Sequence, residues 1–433
     1  MKVFSYICLG VLGLMLSASA VAQTVLTNFE PPKDSINTPD FDMRAAAILP
    51  FFTHLLVDTA GPPPLREWRM REIAMEHVNG MSWAAQRLNE AGYNVELSFF
   101  DECPDTLGVR LWDHTDVKGM DIVLGPLQQS ELSRSMRAIE AGGADHIILT
   151  KVNPHLLNNG DHVRSILPSQ EHFLDLLIDQ IISEHISDNV IFVMAGGADT
   201  ALEQKFLDRY PTTPAPYDSL LVDSMRFDTV MGSRHSIGTL PEKLQFYERN
   251  VIVSVASKRS RSMLSNMQMA VQVNDSTEIL VYSNSDLMDL GFIDMQFLSR
   301  TKTTLPVSGK VSYSDTTIHD AINMYRNMYD SDPSDYAVKA HDAMLDAFSR
   351  KLSQMPIDST ITDTTAVWDL SSLPQPVATD FVWSQVSEGG GYVNATWELS
   401  TFHQGKWCET DTVPSLPQFI IPKLDEEGYY IKP

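Results

Sequence analysis

A chain of 433 residues with 43% hydrophobic content can bury a large core and exceeds the size at which one core keeps growing, so two domains are expected. With 32 basic against 56 acidic residues, its formal net charge of -24 argues against nucleic acid and anionic membrane surfaces as partners. The acidic residues are spread along the chain rather than gathered in one run, which is the pattern of a solubilising surface and marks no cation site.

The opening MKVFSYICLGVLGLMLSASAVAQ has a charged start at Lys2, an apolar stretch from Val3 to Leu16 and small residues at Ala20 and Ala22. It reads as a secretory signal peptide, 1–22, because the apolar stretch is too short to span a bilayer and small residues follow it. The expected location is therefore the periplasm or the cell exterior, with a soluble mature protein. Residues 23–42 are a Pro-, Asp- and Asn-bearing leader without apolar periodicity. Of the cysteines left after processing, Cys103 and Cys408 either pair or stay as two free thiols, since sequence does not supply the separation that a disulfide requires.

The fold begins with AAAILPFF, Ala45 to Phe52, a nearly continuous apolar run that suits a strand covered on both faces. After a GPPP loop at Gly61 to Pro64, helical spacing of apolar residues predicts a helix over 69–91, closed by the glycine of AGYN. Strands follow at VELSFFDE (95–102), MDIVLGP (120–126) and DHIILT (145–150). Between the last two runs a helix at 129–143, for which Ser130 offers a cap and Glu131 a favourable first-turn charge. Strands alternating with helices at this spacing form a parallel sheet with helices on both sides.

A second unit of the same kind starts after VRSILPS, Val163 to Ser169. It has a helix carrying Phe173 to Ile182, a strand NVIFVMAGG (189–197), a helix near 199–210 and an extended stretch YDSLLVDSMRF (217–227). It continues with the strand NVIVSVASKR (250–259), a helix near 260–270 and the strand TEILVYSN (277–284). Beyond Thr301 the pattern changes to an extended VSGKVSYSD (307–315), two helices near 317–329 and 334–353, a polar loop at 358–365, a hairpin over 392–410 and a Pro-rich strap, 414–433.

Several of these segments, in this order, resemble the type I periplasmic binding protein family, and within it the Bacteroidetes-type proteins described as amino-acid ABC transporter binding proteins or receptor ligand-binding-like. The likeness is carried by AILPFF, AMEHVNGMSWAAQRL, DIVLGPLQQSE, TKVNP, VRSILPSQ, the stretch VSYSDTTIHDAINMYRNMYDSDPSDYAVKAHD, and YVNATWEL. It implies an α/β fold of two doubly wound parallel-sheet lobes joined by a multi-strand hinge: 43–166 with 308–380 as lobe I, 167–307 with 381–413 as lobe II. Where the family has Gly-Tyr-Asp near the last large helix, this chain has Ala340, His341 and Asp342, and no sugar-binding repeat precedes the fold.

In that architecture a ligand is expected where the hinge closes, and open parallel sheets bind ligands beyond the carboxyl ends of their strands, where helix N-termini present free N–H groups. That rule selects Gln128, Gln129, Ser130, Thr150, Lys151 and Asn153 in the first lobe. In the second it selects Gly196, Gly197, Asp199, Ser257, Lys258, Tyr282 and Asn284, with Asp199 suited to a ligand amine. The same residue types are favoured at caps and turns with no ligand present.

Enzyme chemistry finds no seed. The histidines show no HxH, HxxH or HxxxH pair for zinc, and GMSWA at Gly80 to Ala84 lacks the last glycine of a nucleophile elbow and lies within a helix. DSDPSD, Asp330 to Asp335, lacks the Gly and Glu of a calcium loop, and no phosphate-binding glycine motif occurs, so neither cofactor nor metal is expected. The expected function is a secreted, non-catalytic binding protein for a small polar ligand such as an amino acid or peptide fragment. The alternative is an envelope protein-interaction module with a degenerate cleft, regulating cell-wall synthesis or secretion.

Overall fold

The computed structural model describes residues 42–57, 64–105, 107–110, 112, 117–210, 226–233, 236–245, 248–257, 265–269, 277–289, 293–354, 370–410 and 413. The expected signal peptide, nearly all of the leader, the polar loop at 358–365, the strap from Pro414 and Lys258 lie outside the described residues.

In chain order, β1 (Asp42–Leu49) is followed by a helical turn (His54–Val57), α1 (Leu65–Glu90), β2 (Asn94–Asp101), β3 (Ile122–Leu124), α2 (Gln129–Gly142), β4 (Asp145–Ile148) and β5 (Val163–Ser165). Then come α3 (Gln170–His185), β6 (Asn189–Met194), α4 (Thr200–Arg209), β7 (Arg226–Met231), β8 (Arg249–Val253), β9 (Glu278–Tyr282), α5 (Met295–Arg300) and β10 (Thr304–Val307). The chain ends its regular structure with α6 (His319–Tyr329), α7 (Asp335–Gln354), β11 (Trp383–Gln385), β12 (Tyr392–Asn394), β13 (Glu398–His403) and β14 (Lys406–Glu409). β1 stops at Leu49 rather than running to Phe52, because Pro50 has no N–H for the ladder. α1 starts four residues before its expected first position, directly after the proline run, whose fixed φ suits a helix entry.

Two compact units result, the first from 42–167 and 309–394, the second from 168–308 and from 395 to the last described residue, so the chain passes between them three times. The first sheet has the order β11-β12-β5-β4-β3-β1-β2 and the second β14-β13-β10-β9-β8-β6-β7. All pairings are parallel except those of β11 with β12 and of β13 with β10 and β14. Each sheet is thus mostly parallel with antiparallel strands added at one edge.

Residues 381–394, read from the sequence as part of the second lobe, pair into the first sheet. β12 lies parallel to β5 with Tyr392 opposite Arg164 and Val393 opposite Ser165, and Asn394 Nδ2 donates to the Ile166 carbonyl at 3.0 Å. The expected hairpin over 392–410 is therefore divided: only β13 and β14 form it, in the second unit. Of the extended stretch expected at 307–315, only Val307 lies in a strand.

Both faces of the first sheet are covered, which accounts for the unbroken apolar run of β1. Met43, Ala45, Ala47 and Leu49 face α1 and α7 through Met81, Ala84, Leu88, Ala343, Met344 and Phe348, while Ala46 and Ile48 face Trp112, Val117 and Ile139. α1 and α7 approach so closely at Gly80 that a Cβ there would collide with the Ala337 carbonyl, so GMSWA serves helix packing. In the second unit Phe173, Leu177, Ile181 and Phe206 cover one face, with Val190, Phe192 and Val251. Leu240, Phe297 and Leu298 cover the other, with Ile191, Val193 and Ile252.

The AHD stretch of α7 has a structural role. Ala340 is buried against α1, and the His341 ring stacks on Trp83 with centroids 3.8 Å apart. His341 Nδ1 meets Asp342 Oδ1 at 2.7 Å and its Nε2 meets the Arg87 guanidinium at 3.0 Å. Burial lowers the His341 pKa against the opposing pull of Asp342. The Asp342 carboxylate accepts the N–H groups of Val377, Ala378 and Thr379 at 3.0, 2.9 and 2.8 Å, pinning the return toward β11.

The end of β3 shows the tightest backbone approach in the first sheet's centre. Gly125 has φ 104° and its missing Cβ leaves room for the Ile48 carbonyl, while its own carbonyl contacts His146 Nε2 at 2.6 Å. Replacing Gly125→Ala should cost on the order of 3 kcal/mol of unfolding free energy, since strain and collision add. Gly143→Ala, at φ 77° with open space around it, should cost about 1 kcal/mol. Urea unfolding of both variants against wild type measures the difference, and equal costs would show that the approach to Ile48 is not limiting.

Candidate functional site

In the first sheet the strand sequence β2-β1-β3-β4-β5 reverses direction between β1 and β3, and in the second β7-β6-β8-β9-β10 reverses between β6 and β8. Such reversal points are where the loops leaving two neighbouring strands run to opposite faces and open a crevice. The loops that matter are 50–53 and 125–128 in the first unit, and 195–199 and 254–257 in the second.

Of the six residues expected in the first unit, Gln128 ends the loop after β3, Gln129 and Ser130 open α2, and Thr150, Lys151 and Asn153 lie on the loop after β4. Gln128, not Ser130, occupies the cap position of α2, with extended backbone (φ -91°, ψ 125°) and no side-chain cap bond; Ser130 is the second helical residue and exposed. The helix begins two residues earlier than a cap at Ser130 requires, directly after the Leu127 and Gln128 N–H groups that another acceptor already holds. Gln129 Nε2 donates to the Lys151 carbonyl at 2.8 Å and so ties the two loops together. Thr150 is half-buried, Lys151 exposed, and Asn153 Oδ1 accepts the His155 N–H at 3.2 Å, capping the short helix Pro154–Asn159.

In the second unit Gly197 is exposed with φ 65°. Asp199, expected to face a ligand amine, is 3% exposed and accepts the Ser257 N–H at 3.0 Å. Ser257 Oγ donates to Asp286 Oδ2 at 2.7 Å and accepts from Gln170 Nε2 at 3.3 Å. Tyr282 lies within the core, its hydroxyl 2.9 Å from His185 Nε2, and burial pushes its pKa up. Asn284 is buried as well, donating to the Val255 carbonyl at 3.2 Å and accepting the Asp286 N–H at 3.2 Å. Strand-end position selects Tyr282 and Asn284, but their side chains turn inward, Tyr282 onto the His185 ring and Asn284 onto the backbone of its own unit.

Three carboxylates absent from the sequence expectation hold these loops. Asp101 Oδ1 accepts the N–H groups of Phe51 and Phe52 at 3.0 and 3.3 Å, and its Oδ2 accepts that of Thr53 at 2.7 Å. Glu102, fully buried, accepts the Gln128 N–H at 2.7 Å and the Leu127 N–H at 3.0 Å, one on each oxygen. Glu203, also fully buried, accepts the N–H groups of Ala195 at 2.5 Å and Gly196 at 3.0 Å. Arg71 completes the first of these loops by donating to the Phe51 and Phe52 carbonyls at 2.8 and 3.1 Å.

Burial raises the Glu102 pKa to about 8, against the two amide bonds that lower it and with a smaller push from Glu131 and Asp101. Burial and the neighbouring Asp101 likewise push the Cys103 thiol up to about 12; Cys103 and Cys408 are both free. Among the described residues no group of three or more His, Cys, Asp or Glu side chains is placed to hold a metal, and no helix is long and apolar enough to cross a membrane.

The raised pKa fixes the sign of a pH effect. The folded chain keeps the Glu102 proton up to about pH 8, while the unfolded chain releases it near 4.5, so this residue's contribution to stability falls as pH rises between those values. The wild-type stability relative to Glu102→Gln should therefore decline from pH 5 to pH 8, by up to about 1.4 kcal/mol per pH unit in urea unfolding. A difference independent of pH would mean that Glu102 does not titrate in that range.

No protein-family model and no curated protein matches the chain. Among solved structures, the chain is similar to a putative branched-chain amino acid ABC transporter protein from Rhodospirillum rubrum, with a TM-score of 0.55 and 11% identity over 86% of this chain and 100% of that one. It is also similar to a branched chain amino acid ABC transporter periplasmic ligand-binding protein from Burkholderia xenovorans, with a TM-score of 0.50 and 9% identity over 83% of this chain and 90% of that one. At such identities the likeness is one of fold: two α/β units, each built on a mostly parallel seven-stranded sheet, in the type I periplasmic binding protein fold.

Proposed function

We propose that this protein is a secreted, non-catalytic binding protein that takes a small polar ligand, such as an amino acid or peptide fragment, at the carboxyl edges of its sheets. The observation that carries this reading is the pair of loops after β3 and β4. The Gln129 to Lys151 bond holds them together, and they present the first turn of α2, the Thr150 hydroxyl and the exposed Lys151 ammonium on one edge. Lys151 makes no ion pair among the described residues, so its charge is available to a ligand carboxylate. The fold shared with branched-chain amino acid binding proteins supports the same class of ligand.

A second reading is favoured by a different observation. The side chains of Asp199, Ser257, Tyr282 and Asn284 are all engaged within their own unit, which is what an envelope protein-interaction module with a degenerate cleft would show.

Thermal unfolding of the mature protein against the standard L-amino acids and short peptides separates the two. A ligand at about a hundred times its dissociation constant should add roughly 2.7 kcal/mol of stability. Thr150→Ala and Lys151→Ala should each weaken that ligand about tenfold while leaving the unliganded midpoint unchanged. No shift with any compound, together with an envelope protein that co-purifies, would select the second reading.

A further inference from the structure

Free N–H groups where loops leave a parallel sheet are the ordinary seat of an anionic group in α/β proteins, since several donors converge there with nothing of the fold to satisfy them. In this protein each of the four reversal-point loops gives one to three of its N–H groups to a carboxylate of the chain itself. The loop after β1 gives the N–H groups of Phe51, Phe52 and Thr53 to Asp101, and the loop after β3 gives those of Leu127 and Gln128 to Glu102. The loop after β6 gives Ala195 and Gly196 to Glu203, and the loop after β8 gives Ser257 to Asp199.

The arrangement is the same in two units that share no sequence motif at these positions, and it comes from different places in the chain. In the first unit both acids stand side by side at the end of β2; in the second, one precedes α4 and the other lies inside its first turn. Glu102, Glu203 and Asp199 are 0%, 0% and 3% exposed, so they are parts of the interior rather than a solvated acidic surface. An incoming anion would have to compete for these N–H groups with carboxyl groups that the fold already fixes on them.

We propose that Asp101, Glu102, Asp199 and Glu203 are built-in specificity determinants that fill the anion seats of both sheets, so that the protein accepts neutral or cationic polar ligands and rejects anionic ones. The proposal rests on the reading of the protein as a binding protein. A zwitterion remains acceptable because its carboxylate has the separate Thr150 and Lys151 edge.

The test has two arms. In the first, calorimetric titration of the mature wild-type protein compares L-leucine, L-glutamine, L-lysine and L-arginine with L-aspartate, L-glutamate and inorganic phosphate. The anionic members should bind at least about tenfold more weakly than the best neutral or cationic one, and an anionic compound that binds as tightly as the best of the others overturns the proposal.

The second arm needs no ligand. Thermal unfolding of wild type, Glu102→Ala and Glu203→Ala is recorded in sodium acetate and in sodium chloride of equal ionic strength. Acetate should raise the midpoints of the variants by refilling the emptied seats and leave wild type unmoved. A wild type that responds as strongly as the variants, or variants that do not respond, overturns the proposal. Glu203→Ala puts the question to the second unit should Glu102→Ala fail to fold. If no compound in the first arm binds, the binding-protein reading fails, while acetate still decides whether the seats are internally filled.

Discussion

A parallel sheet leaves the backbone N–H groups of its exit loops without partners, and the structure depends on how they are satisfied. Buried backbone donors cost about 1 to 3 kcal/mol each when unpaired, so a fold with four reversal-point loops faces a large penalty unless acceptors are supplied. Here Asp101, Glu102, Asp199 and Glu203 supply them from within. The loops they hold set the start of α2, the path from β1 toward α1 and the turn from β6 into α4. Those are the positions from which any ligand contact on these edges must be made.

That internal solution changes what the candidate residues can do. The rule that ligands sit beyond strand carboxyl ends selects the right loops but assumes that the donors there are free. With the donors engaged, the usable groups are side chains that the fold does not need for itself. In the first unit these are Thr150, Lys151 and the exposed Ser130 at the start of α2. In the second unit the side chains of Asp199 and Asn284 bond to backbone, and those of Ser257 and Tyr282 to other side chains, of their own unit, so polarity at a strand end is used for folding rather than recognition.

The legibility of the chain follows the same division. Both sheets are readable because their central strands are covered on both faces: Ala45 to Leu49, Val190 to Val193 and Val251 to Val253 appear as continuous apolar runs flanked by helical periodicity. The placement of 381–394 was not readable, since β11 and β12 have three residues each and their sheet is chosen by a long-range pairing with β5. Glu102 and Glu203 were missed for a physical reason too. Acidic residues are rarely fully buried, so an acid in the sequence reads as surface unless its donors are known. The one signal available was the pair Asp101 and Glu102 directly at the end of an apolar strand, where a solvated role leaves the exit loop's donors unexplained.

Ala340, His341 and Asp342 show how the same logic operates away from the edges. Asp342 takes three successive N–H groups from 377–379, as Asp101 does from 51–53, and His341 is held between that carboxylate and Arg87 while stacking on Trp83. A tyrosine at the position of His341 would bring a hydroxyl in place of the ring nitrogens that meet Asp342 and Arg87. The change from the family pattern is therefore compensated locally, inside a buried network on the helix face that packs against α1. None of these contacts involves the loops after β3 and β4, so the stretch from Ala340 to Asp342 bears on how the first unit is closed and not on what its carboxyl edge can hold.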